Sequence, residues 1–201
     1  MEFSFSQDIV LQNEAVLLRP MEENDLEELL LVTSGHPLLV QYSPFQVHTR
    51  ELLQEFIFNS LKERAAHARY PFTIIDKKSG QAAGSTSYAS VSQKDGRLEI
   101  GWTWIGPGYQ RTGLNRQCKW LLLSYAFDRL GFERVEFRTD ERNLSSRRAM
   151  ESMGAVYEGC LRSHTVMNDG FRRNTLYYSI LRSEWELLKA GFTERRAALR
   201  T

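Results

Sequence analysis

Long apolar runs are missing from this chain, and with them one whole class of proteins. The best uninterrupted stretches, Leu29 to Val32 and Leu121 to Leu123, fall far short of the roughly 18 residues a membrane-spanning helix requires. The opening Met1 to Val10 has neither a basic stretch nor the apolar core of a secretory signal, so a cytoplasmic location is expected. Charge of one sign is missing too: 26 basic side chains face 25 acidic ones, a formal net charge of +1. That balance makes no electrostatic case for DNA or for an anionic membrane surface. Cysteine is scarce. Cys118 and Cys160 sit in contexts that read as a helix face and a strand, so free thiols filling the core are expected. The histidines, His36, His48, His67 and His164, share no metal-ligand spacing, and no metal site is expected.

What is present is an ordinary globular composition, 42% hydrophobic and 25% charged over 201 residues, enough for one domain with a substantial core. No repeat or linker divides it. The reading is therefore a single domain over residues 1–201, with an N-terminal extension at about 1–14 and a C-terminal helix and tail at 183–201. Ala15 to Pro20 reads as a first strand. Asn24 with Glu27, and later Ser183 with Glu186, look like capping boxes that open helices. Leu52, Leu53, Phe56, Ile57 and Leu61 recur at helical spacing in a helix from Thr49 to about Ala68. Strands follow at Pro71 to Asp76, Gly84 to Val91 and Arg97 to Ile105, the last two joined through Asp95-Gly96. Strict alternation along the last would put Leu98, Ile100, Trp102 and Trp104 on one face, with Glu99 and Thr103 on the other. Leu114, Cys118, Leu121, Leu122 and Tyr125 give another helix, stopped at Gly131. A strand from Glu133 to Thr139, a helix from Asn143 to Met153, and strands at about Val156 to Met167 and Phe171 to Leu181 complete the chain before the last helix. This β-α-α-β-β-β-α-β-α-β-β-α order predicts an α/β domain, one mixed sheet with helices on both faces.

Between the third of these middle strands and its helix lies Ile105-Gly106-Pro107-Gly108-Tyr109-Gln110-Arg111-Thr112-Gly113-Leu114-Asn115. A helix N-terminus presents unpaired N–H groups and the positive end of the helix dipole. Glycine at 113 would let the backbone approach a ligand closely. Together these suit a pyrophosphate. The glycines fit neither a Walker loop nor a dinucleotide fingerprint. By spacing alone, a plain strand-to-helix turn stands equal to a phosphate cradle.

The segment Gln110-Arg111-Thr112-Gly113-Leu114-Asn115 resembles the Q/R-x-x-G-x-G/A acyl-coenzyme A signature of the GNAT N-acetyltransferase superfamily. Thr139-Asp140-Glu141-Arg142-Asn143-Leu144-Ser145-Ser146 and Met153-Gly154-Ala155 resemble a second conserved segment of that superfamily. Glu158 to Arg162, Asp169-Gly170 and Tyr178 to Leu181 are similar to its RimJ/RimL-like branch, which acetylates protein N-termini. The resemblance runs from about Ala15 to Trp185. It implies a central mixed, mostly antiparallel, twisted sheet and the use of acetyl-coenzyme A as acyl donor. One position departs from the signature: Asn115 stands where glycine or alanine is usual.

The resemblance also implies roles. The backbone of Gln110, Arg111, Thr112, Gly113, Leu114 and Asn115 would hold the coenzyme A pyrophosphate. The strand end Trp104-Ile105 would pair with pantetheine, in a slot made by splaying from the strand at Glu133 to Thr139, and Asn143 would hydrogen-bond it. Glu99 matches a carboxylate that some members use as a base through water; the competing reading is a glutamate paired with a cation. Members often place a tyrosine seven residues after the asparagine to protonate the thiolate. Here that position is Met150, so Ser146 is the expected donor to sulfur, with Tyr177 and Tyr178 in reserve. The acceptor, a small-molecule amine or a peptide or protein N-terminus, would be met by residues 33–50, with Pro37, Tyr42, Pro44 and Phe45 as an apolar lip. Two other readings stay open, a non-catalytic acyl-coenzyme A sensing module and a phosphate-binding interaction domain. A homodimer is compatible with all of them.

Overall fold

The computed structural model describes residues 2–198, with side chains to residue 191. Eight strands form one sheet in the order β1-β2-β3-β4-β5-β6-β8-β7. They are β1 (Leu11–Gln12), β2 (Val16–Pro20), β3 (Arg69–Asp76), β4 (Gln81–Ser92), β5 (Arg97–Ile105), β6 (Arg134–Asp140), β7 (Val156–Val166) and β8 (Arg172–Leu181). Every neighbouring pair is antiparallel except β5 and β6. The helices are α1 (Leu26–Thr33), α2 (Arg50–Ala65), α3 (Leu114–Ser124), α4 (Leu144–Ser152) and α5 (Arg182–Ala198). This is the mixed, mostly antiparallel α/β sheet expected of the sequence.

Two apolar clusters cover the two faces. The larger joins Leu18, Phe72, Tyr88, Leu98, Val135, Phe137 and Ile180 of the sheet to Cys118 and Leu122 of α3, Met150 of α4 and Trp185 of α5. The smaller gathers Leu29 of α1 and Leu53, Phe56 and Ile57 of α2 over Ala82 and Trp104. Thr49 caps α2 by accepting from the Leu52 N–H, and Asn143 caps α4 in the same way. Beyond α3 the chain widens into one π turn, Tyr125–Arg129, in which the Leu130 N–H reaches the Tyr125 carbonyl.

Both expected capping boxes are displaced. Glu22 and Asp25 form the reciprocal pair, opening a 3₁₀ turn at Glu23–Asp25 that runs into α1. Asp25 is drawn inward because Arg19 and the Thr73 hydroxyl both reach its carboxylate. At the last helix it is Glu184 that accepts from the Leu181 N–H, at 2.8 Å, so the helix begins at Arg182.

The alternation along β5 also breaks. Ser87 pairs with Gly101, yet Ser85 pairs with Trp104, and Trp102 between them takes a φ of 50°. One extra residue in a ladder bends the strand and inverts the faces beyond it. Leu98 and Ile100 therefore pack in the larger cluster together with Ile105, whereas Trp102 and Trp104 pack in the smaller. Thr103 faces α3, where Lys119 meets its hydroxyl. The single apolar face predicted for this strand is thus corrected: Glu99 shares the tryptophan face, and Thr103 shares the Leu98 face. A second slip in the same pair lies between Ala89 and Ser92, with Ser90 at a φ of 50°.

Candidate active site

The parallel pair β5 and β6 is bonded only at Arg97–Arg134, Leu98–Val135 and Glu99–Glu136. Beyond that rung β5 stays on β4 as far as Ile105, and β6 stays on β8 as far as Asp140. The two strands consequently separate. Their facing edges, Gly101 to Ile105 and Phe137 to Asp140, are not paired with each other, which leaves room between them for an extended amide-bearing chain.

At the mouth of this V lies the glycine-rich loop. Pro107–Tyr109 makes a short 3₁₀ turn, and the Gln110 side-chain amide donates to the Ile105 carbonyl at 3.0 Å. Gly113, at φ 89° and ψ −9°, is the N-cap of α3, and a Cβ there would meet nothing within 4 Å. The space is open, so the left-handed torsion, rather than crowding, favours glycine. Arg111 also has a positive φ, 61°. Among the described residues the N–H groups of Arg111, Thr112, Gly113 and Asn115 find no backbone acceptor, while Leu114 N–H has a long bond, 3.4 Å, to Thr112 Oγ1. Several converging donors at a helix N-terminus form an anion cradle. At the departing position, Asn115 Oδ1 is buried with no partner.

At the vertex stands Glu99, 3% exposed. Its carboxylate forms an ion pair with Arg138 of β6 at 2.9 Å and accepts from the Ser90 hydroxyl at 3.2 Å. Burial raises its pKa, and Arg138 and Ser90 partly offset that rise. The geometry is that of a cation-paired glutamate whose proton affinity is raised by burial. The bulge between Ala89 and Ser92 brings Ser90 to this point.

Asn143 Oδ1 accepts from the Ser146 N–H at 3.0 Å, which accounts for its oxygen but leaves its amide N–H groups to donate. Ser146 is half-buried on the first turn of α4. Met150 is buried in the larger cluster. Of the reserve tyrosines, Tyr178 is engaged, its Oη donating to Glu151 at 3.0 Å, and the Tyr177 ring lies 5.0 Å from the Arg138 guanidinium carbon. Both cysteines are free. Burial pushes the Cys118 thiol up to about 12, as suits a core residue. Cys160 is exposed, a correction to its core reading, because β7 is the outer strand of the sheet and presents most of its side chains to solvent.

On the far side of the V, residues 34–49 leave α1 and cross toward β8. Arg173 donates to the Tyr42 carbonyl at 3.0 Å, and the Arg142 guanidinium lies 3.8 Å from the Phe171 ring centre and 5.7 Å from that of Tyr42. Phe45 turns inward against Phe56, with ring centres 4.9 Å apart, and so belongs to the smaller cluster rather than to an exposed lip.

Two participants in the site escape the sequence reading. Arg138 pairs with Glu99 across strands that are far apart in the chain. Lys119, 7% exposed, donates to Thr103 Oγ1 at 2.7 Å and lies 5.9 Å from the Phe137 ring centre. Burial pushes its pKa down to about 8. The signal was present: Leu122, Leu123 and Ala126 follow it at helical spacings i+3, i+4 and i+7, placing a lysine on a buried face.

A sheet of this topology, opened at one parallel pair above a helix N-terminus, is shared with known proteins. A family model described as an acetyltransferase (GNAT) domain matches residues 15–156, and the chain belongs to that family. It is an N-acetyltransferase by relationship as well. The N-acetyltransferase p20 of Bacillus licheniformis, named as uncharacterized, is 27% identical over 180 residues, covering 87% of this chain and 97% of its own length. "Putative ribosomal N-acetyltransferase YdaF" of Bacillus subtilis is 32% identical over 107 residues, 53% of this chain and 57% of its own. The crystal structure of a GCN5-related N-acetyltransferase from Brucella melitensis superposes with a TM-score of 0.88 at 28% identity, over 95% of this chain and 86% of that one.

Proposed function

We propose that this enzyme transfers an acetyl group from acetyl-coenzyme A to a primary amine by direct attack, the amine being a protein N-terminus or a small molecule. The observation that carries the reading is the V between β5 and β6, which runs from a cradle of unpaired N–H groups at its mouth to a buried carboxylate at its vertex. In this reading Gln110 to Asn115 hold the pyrophosphate, and Arg111 and Arg116 add charge at the rim. The free edge of β5 near Trp104 and Ile105 binds pantetheine as a strand would, and Asn143 donates to it from the opposite wall.

Attack requires a neutral amine and a leaving thiolate that is stabilised or protonated. Glu99 takes the proton of the amine through a water, its raised pKa bringing its proton affinity closer to neutral pH. Ser146 offers a hydroxyl to sulfur from α4. The segment 34–49, tied to β8 through Arg173, borders the acceptor side. Incubating the purified protein with acetyl-coenzyme A and a panel of peptides and small amines tests the reading, with acetylated product and free thiol appearing together. Tight binding of acetyl-coenzyme A without turnover on any amine would instead favour the sensing module.

A further inference from the structure

A buried ammonium with no carboxylate against it is costly, because only a partner of opposite charge compensates for lost hydration. Lys119 is such a group. No ion pair among the described residues includes it. Its hydrogen bond goes to the Thr103 hydroxyl, which lies in turn 2.8 Å from Thr86 Oγ1. Thr103 belongs to one wall of the V and Phe137 to the other, both beyond the last shared rung. The lysine therefore reaches from α3 across the separation between the strands.

The neighbouring charged and titratable groups offset only part of that burial, Glu99 acting on the ammonium from a distance without pairing with it. Glu99 of β5 is engaged by Arg138 of β6. Cys118, beside it on α3, stays a neutral thiol because burial raises its pKa. On β4, the Tyr88 hydroxyl donates to the Leu122 carbonyl. A core position of this kind would be better filled by a methionine unless a negative charge arrives there during function.

We infer that Lys119 receives the negative charge that develops on the coenzyme A sulfur and gives the thiolate its proton. The inference rests on the acetyl-coenzyme A reading above. As the acceptor nitrogen bonds to the carbonyl carbon, the carbon–sulfur bond breaks and its electron pair leaves on sulfur. The amine's proton passes to Glu99 or water, Lys119 gives a proton to sulfur, and the resulting neutral lysine regains one from solvent. Burial brings the lysine's pKa down toward that of an ordinary thiol, which eases release of its proton to sulfur. Ser146 supplies a hydrogen bond to the same atom but no charge.

The test compares wild type with Lys119→Met, following the ultraviolet absorbance of the bound coenzyme A thiolate against a desulfo-coenzyme A reference as pH is raised. In the wild type the bound thiol should ionise at lower pH than free coenzyme A, and in Lys119→Met this shift should vanish. The variant should lose about 100-fold or more in kcat, bind desulfo-coenzyme A as before, and melt no lower than wild type. Should Lys119→Met fail to fold, Thr103→Val, which only frees the ammonium from its anchor, should give an intermediate thiol shift. An identical thiol titration in wild type and variants would overturn the inference. So would equal weakening of coenzyme A and desulfo-coenzyme A, which makes Lys119 a pantetheine clamp, or acetylation of Lys119 itself, which makes it a nucleophile. A wild type that binds neither compound removes the underlying coenzyme A reading instead.

Discussion

The mouth of the V and its vertex are built from opposite materials. At the mouth, the groups offered to a ligand are backbone N–H donors on an exposed turn, arranged by one left-handed glycine. Deeper in the V they are side chains, Glu99 at the vertex and Lys119 between the walls beyond it, each nearly removed from solvent. Backbone donors are the same whatever the residue and lose no side-chain freedom on binding, so they suit the invariant part of a donor molecule. Buried side chains have pKa values that the surroundings can move, so they suit proton transfer. The division teaches that affinity for the donor and speed of transfer should be separable by mutation.

The largest effect should come from the mouth. Gly113→Pro forces φ toward about −65° where the fold holds 89°, and it removes an N–H from the cradle. Binding of coenzyme A should disappear by calorimetry. Acetyl-coenzyme A at 100 times its Kd should stabilise the wild type by about 2.7 kcal/mol, and the variant should show no thermal shift. Retained affinity in Gly113→Pro would break the comparison, because the mouth would then not be where binding resides.

Glu99→Gln should do the reverse, keeping donor affinity while slowing transfer about 10²–10⁴-fold at neutral pH. The defect should shrink as pH rises and more acceptor is already neutral. With an α-amine acceptor, whose reference pKa is about 7.7–8.0, recovery should be substantial by about pH 9; a lysine acceptor near 10.4 would still need the base there. A loss independent of pH would assign Glu99 to positioning, together with Arg138, and remove it from proton transfer. The smallest effect belongs to Ser146→Ala. A neutral hydrogen bond is worth about 0.5–1.5 kcal/mol, so kcat should fall by about tenfold or less, with little change in donor binding. Full activity would leave the sulfur to Lys119 alone.

The sequence is most legible where chemistry depends on local backbone. Gly113 can be read because a helix entrance with a left-handed torsion favours glycine, and the resemblance around it names the ligand. Apart from β1, which falls in the stretch read as an N-terminal extension, the strands and helices are found to within a few residues because their periods are local. What stays hidden is long-range or cumulative. Nothing near Trp102 announces the bulge, yet one inserted residue reverses every facing side chain after it, and so the alternation argument puts Trp102, Thr103 and Trp104 on the wrong faces. The pairing of Glu99 with Arg138 depends on β6 lying beside β5, which no local pattern encodes. Lys119 is readable from its apolar spacing, but a lysine on a helix is ordinarily taken as solvated, and only the packed structure shows otherwise.

The separation of β5 from β6 also divides the chain as a string. One arm, β1–β5 with α1–α3, is drawn from residues 11–124, and the other, β6–β8 with α4 and α5, from residues 134–198. Each arm is continuous in sequence, so most of its pairings close short loops and can form without waiting for the other. What joins them is one short parallel ladder, polar links such as Glu99 with Arg138 and Arg173 with the Tyr42 carbonyl, and the apolar cluster that both share. These are the attributes of two cooperative units meeting at a seam. A molecule lodged in that seam acts as a strut, coupling the two units so that opening either one first requires it to leave.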